Sequence, residues 1–208
     1  MNKIIKYILV ILAIPAVVYF SLDIRKLDEY KAENTDIKFD ATEFAAQFWD
    51  TQLADCIIKA PDANVVIPQL EFNPETVFEK YGHKLGISKT YYLIFRGSGL
   101  IEAVEEEFLL VRTDDGTKIQ VATDFIFGNA IRDGSGKIDI NQFINMTDFN
   151  NVSVALNKLA KDKVVSRLKK AARAGMRIEF TGATELNEDN TDISNIRIIP
   201  IAAKLIDG

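Results

Sequence analysis

The sequence predicts an α+β protein behind a membrane anchor, and three observations carry that reading. Residues 7–22, YILVILAIPAVVYFSL, are uncharged and mostly aliphatic, with Lys3 and Lys6 before them and Asp23, Arg25, Lys26 and Asp28 after. Between residues 40 and 81, apolar side chains recur at helical spacing between start and stop signals. From Thr90 onward, β-branched and aromatic runs read as three strands, then one long amphipathic helix, then two strands. The order β-β-β-α-β-β is that of an OB-like β-barrel. An open sheet with the helix on one face is the alternative, and periodicity alone does not separate the two.

The apolar run is short for a bilayer: sixteen helical residues span ~24 Å against a ~30 Å hydrocarbon core. Ile4 and Ile5, with Lys6 reaching to the headgroups, bring it close to spanning. No A-x-A arrangement of small residues closes the run, and the single cysteine, Cys56, lies far downstream. The expectation is an uncleaved signal-anchor over residues 1–22 that contacts the lipid bilayer through residues 4–22. A cleaved signal and a buried core helix are the alternatives. The export-signal pattern puts the folded part on the periplasmic or outer side of the cytoplasmic (inner) membrane as a single-pass protein, although the Lys/Arg balance across the run is even.

Residues 23–38 are polar and mixed in charge, a spacer. Residues 39–88 form the expected helical subdomain. Asp40 followed by Glu43 is a capping arrangement, Phe44, Ala45, Phe48, Trp49, Leu53, Cys56 and Ile57 make one apolar stripe, and Pro61 ends it. A second helix is expected at Pro74–Tyr81, stopped by Gly82, and Ala63–Leu70, broken by Pro68, reads as a short turn or loop. The OB-like domain covers 89–208. TYYLIFRG and LIEAVEE are one bent strand or two, FLLVRT follows, and Asp115-Gly116 turns the chain into KIQVATDFIF. Residues 128–150 read as a long ordered loop. Val152, Leu156, Leu159, Val164, Leu168 and Ala172 mark a helix over Val152–Ala174, closed by Gly175. MRIEFTGATEL and SNIRIIPIAAKL are the last two strands.

A net charge of −5 supplies no basic face for nucleic acid. The one histidine, His83, lacks the second His or Cys that zinc constellations and acid–base pairs use, so it reads as a loop residue. Gly134-Ser135-Gly136-Lys137 departs from a phosphate loop at Ile131 and Ile138. The acidic runs Glu105–Glu107 and 188–195 read as solvated edge and link, and Lys161–Arg173 as a solvated helix face. Asn145 and Asn151 form N-x-[ST] sequons. No catalytic set, metal site or cofactor is expected. The pair Arg132-Asp133, set in FIFGNAIRDGSG, reads as a hydrogen-bonded corner, either a clamp for the long loop or a contact for a ligand or partner. With Asn129 and Asn145 it makes up the candidate binding residues.

FDATEFAAQFWD, YGHKLGISKTYYLIFRGSGLI, FGNAIRDGSGKI, FINMTDFNNVSVALN and FTGA with IIPIAAKL resemble, in order, the domain-of-unknown-function family 2291. The resemblance covers roughly residues 20–205. Its most specific pieces are Tyr81–Gly86, Gly128–Asp133 and Ala155–Asn157. At the family's F-x-N-Q element this chain has Phe143, Asn145 and Met146. The resemblance implies an exported, membrane-tethered protein, with a helical subdomain on an OB-like domain, encoded near ABC-type sugar importers. The expected role is therefore a non-enzymatic accessory protein contacting a solute-binding protein or permease. A small-molecule or glycan binding domain is the alternative, and an envelope hydrolase or transferase ranks third.

Overall fold

The computed structural model describes residues 39–189 and 191–206. The expected anchor over 1–22 and spacer over 23–38 lie outside the described residues. From Asp40 onward the chain forms one compact unit.

Helix α1 (Ala41–Phe48) starts at Asp40, whose carboxylate accepts from the Thr42 and Glu43 amides at 2.8 and 3.0 Å. Two amides that a helix start leaves without partners are thereby satisfied. The helix passes through a π turn (Trp49–Leu53) into α2 (Ala54–Lys59) and buries Ala45, Phe48, Trp49 and Leu53. The stretch expected as a turn or loop is instead α3 (Ala63–Phe72), with Pro68 inside it. Proline costs a helix interior ~3 kcal/mol. Burying Val66, Ile67 and Leu70 returns roughly 1.5–3 kcal/mol each, so packing overrides the breaker. Helix α4 (Pro74–Tyr81) has the expected bounds.

The first strand is a single bent element, β1 (Thr90–Val104), which carries both Gly97 and Gly99. It pairs with β4 (Arg177–Asn187) over Thr90–Leu100 and with β2 (Phe108–Thr113) from Gly99 onward. The β2–β3 turn uses Gly116 at φ 92°, which the Asp-Gly pair announced. A parallel contact of β3 (Lys118–Ala122) with β5 (Ile196–Ile206) completes a closed sheet in the order β1-β2-β3-β5-β4. Leu93, Phe95, Ile101, Val111, Ile119, Val121, Ile178 and Ile198 are buried in its core.

Three expectations fail in the middle of the chain. The strand expected to reach Phe127 stops at Ala122, because the Glu107 carbonyl accepts from both the Thr123 and Asp124 amides and turns the chain out of the sheet. The long loop expected at 128–150 contains a short buried helix, α5 (Ala130–Gly134), and one 3-10 turn (Ile140–Gln142). The long helix starts earlier than expected, as α6 (Met146–Ala160), because Asn145 caps it through the Asp148 amide at 2.8 Å. It continues through a π turn (Lys161–Val165) into α7 (Ser166–Ala171).

Candidate functional site

Helix α5 is buried along its whole length, and Arg132 is 1% exposed. Its guanidinium donates to both carboxylate oxygens of Asp133, at 2.6 and 3.0 Å, and to the Phe149 carbonyl of α6 at 3.0 Å. The guanidinium carbon lies 3.5 Å from the centre of the Phe149 ring. That ring continues through Phe143 to Phe44 of α1, with centroids 5.4 and 5.6 Å apart. The polar atoms of the pair are spent inside the protein, so its geometry is that of a clamp.

Of the other sequence-predicted residues, Asn129 joins the clamp and Asn145 does not. The Asn129 carbonyl accepts from the Asp133 amide at 2.9 Å, and its side chain hydrogen-bonds Tyr92. Burial, followed by the nearby Asp133 and Glu185 carboxylates, pushes the Tyr92 phenol up. Asn145 is an exposed helix cap. The sequence reading assigned Asn157 no role of its own. Its buried amide donates to the Gly128 carbonyl at 2.9 Å and ties the start of the corner to α6. The available signal was a polar residue inside the apolar stripe of α6.

Two clefts border the corner. One, of about 430 Å³, is lined by His83, Lys84, Asp133, Lys137 and Asp139. The His83 backbone pairs with Tyr92 at 2.9 and 2.7 Å, and its imidazole packs on Gly136, which has φ 59°. Burial of that ring face and then the Lys137 charge hold the imidazole pKa down. Across α5, the Cys56 thiol lies 3.6 Å from the Ser135 carbonyl, and burial pushes its pKa up.

The other cleft, of about 370 Å³, is lined by Phe125, Phe127, Ala130, Thr184, Glu185, Asp192 and Arg197, among others. Phe125 and Phe127 are 60% and 72% exposed. Phe125 sits at φ 50°, uncommon for a bulky residue. Its conformation is over-determined by neighbours. The Asp124 carboxylate accepts from the Phe125 amide at 2.9 Å and pairs with Lys169 at 3.0 Å, and the Asp124 carbonyl accepts from Arg197 at 2.9 Å. Among the described residues, no cluster of His, Cys, Asp and Glu could hold a metal ion. Among the same residues, no helix is long and apolar enough to cross a membrane.

A family model described as predicted periplasmic lipoprotein (DUF2291) matches residues 12–204. No curated protein matches the chain. Among solved structures, the crystal structure of an OB-fold protein from Thermotoga maritima is similar, with a TM-score of 0.73 and 27% identity. That match covers 82% of this chain and 100% of the other.

Proposed function

The chain belongs to the DUF2291 family of predicted periplasmic lipoproteins, and from that premise we propose that it is a non-catalytic accessory protein of the cell envelope. In this reading residues 4–22 tether it to the cytoplasmic membrane, its body faces the periplasm or cell exterior, and the 125–146 segment meets a partner protein. The tether is assigned to the apolar run because the one cysteine, Cys56, sits half-buried in α2, within the folded unit.

The observation that supports partner contact is a concentration of exposed apolar side chains. Phe125, Phe127, Ile144 and Met146 are 60%, 72%, 83% and 54% exposed, and all lie on the stretch that the Arg132–Asp133 clamp fastens. Fixed, exposed aromatic and aliphatic groups are what protein interfaces bury first. A non-catalytic reading fits His83, whose charged neighbour is Lys137 and which makes no ion pair with a carboxylate among the described residues. The partner class is the one the family resemblance implies, a solute-binding protein or permease of an importer.

A photo-reactive side chain at Ile144, in cells that also make the neighbouring importer, tests this. Cross-linking to the solute-binding protein or the permease is expected. Cross-links confined to the chain itself, or release of the chain from membranes by a salt wash, would overturn it.

A further inference from the structure

We propose that the cleft beside Phe125 and Phe127 is a binding site for an organic cation, an ammonium group carried on an apolar body. Its floor is apolar, formed by Ala130, Ala183, Leu186 and Ile199, and its volume of about 370 Å³ lies in the range that encloses small ligands. Two exposed phenyl rings wall it, and aromatic faces attract cations, the more so when water is displaced.

The charges on its rim point the same way. Glu185 has no counter-ion among the described residues. Among the described residues Asp192 accepts only from the amide and hydroxyl of Ser194, at 2.9 and 2.6 Å. Among the described residues that line the cleft the one cation is Arg197, and it is engaged within the protein, donating to the Asp124 carbonyl at 2.9 Å and lying 3.6 Å from Glu107. Two carboxylates, Glu185 and Asp192, thus stand against one guanidinium in the lining, and an entering ligand meets net negative charge.

The neutral polar atoms are partly engaged within the protein. The Thr184 hydroxyl donates to the Arg197 carbonyl at 2.8 Å, and the Asn187 side-chain oxygen accepts from the Asp189 amide at 2.9 Å. The carboxylates and the rings are the groups left most open to a ligand. The walls are also held in place. Bonds from Asp124 fix Phe125, and Asn157 fixes Gly128, so little ordering is left to the ligand.

The test is calorimetric titration of the full-length chain in detergent with phenethylamine, tetramethylammonium, 2-phenylethanol and glucose. Phenethylamine is expected to saturate one site and to bind about tenfold more tightly than the alcohol, which carries a neutral hydroxyl in place of the ammonium. Glu185→Gln is expected to weaken it about tenfold and Phe127→Ala about threefold. Both side chains are exposed, so the variants keep the fold. Equal affinity for amine and alcohol, preference for glucose, absence of saturation by either cation, or an unaffected Glu185→Gln each overturns the assignment. The titration needs no partner and the Ile144 cross-link needs no ligand, so this inference and the accessory role fail separately.

Discussion

Replacing Arg132 by Met, Asp133 by Leu, and both together tests whether the corner rests on a buried ion pair. Side chains in the pair are 1% and 2% exposed. Removing Asp133 alone leaves a guanidinium in the interior, and a buried charge stripped of its partner costs about 3–5 kcal/mol. Removing Arg132 alone strands the carboxylate at a similar cost and also removes the guanidinium's bond to the Phe149 carbonyl. The double variant carries no stranded charge. Its main loss is that charge-assisted bond, about 1.5–3 kcal/mol, partly offset because apolar replacements of buried pairs are often neutral or better. Each single variant should thus be less stable than the double, with a coupling of about 3 kcal/mol or more. For a domain of this size, the singles should melt about 10 °C below the parent. Urea and thermal unfolding followed by circular dichroism measure all four corners of the cycle. Singles that cost under about 1 kcal/mol, or a double equal to their sum, would refute the clamp.

Two further outcomes follow from the His83 cleft. Gly136→Ala forces a Cβ against the imidazole at a backbone angle of φ 59°. It should cost about 2 kcal/mol in urea unfolding, roughly half of it recovered by adding His83→Ala, because the left-handed conformation alone costs about 1–2 kcal/mol. A nuclear magnetic resonance titration should place the His83 midpoint below the ordinary histidine value, and Lys137→Met should raise it by removing a like charge. The folded form binds that proton more weakly than the unfolded chain. His83 therefore lends stability above the ordinary histidine range, and that stability is lost as pH falls through the folded midpoint. A midpoint at or above the ordinary value would contradict the burial.

Local chemistry was legible wherever one residue decides the backbone. Asp40 announced the start of α1, Asp115-Gly116 announced the β2–β3 turn, and an Arg-Asp pair in an apolar segment announced a hydrogen-bonded corner. What stayed hidden depends on partners far along the chain. α3 survives Pro68 because its apolar face is buried. β3 ends at Ala122 because of the Glu107 carbonyl, and a backbone acceptor carries no sequence signature. That early ending is why Phe125 and Phe127, apparently strand residues, become exposed walls of a cleft. The early start of α6 does have a local signature: Asn145 caps the helix through the Asp148 amide, a turn or more ahead of the apolar stripe that begins at Val152.

A five-residue helix does not persist by itself, since nucleation outweighs the few bonds it makes. α5 is therefore fixed by what it is fastened to, and two of its fastenings come from α6. Asn157 holds the Gly128 carbonyl, and the Phe149 carbonyl holds Arg132. An ion pair seldom beats an apolar contact in net stability, so its use here is better explained by direction. Bidentate geometry sets the angle of a short segment where packing alone would let it slide. The same segment meets one cleft at Ala130 and the other at Asp133. Fastening it fixes one wall of each cleft, and the exposed phenylalanines keep their spacing from Glu185 without depending on a ligand to order them.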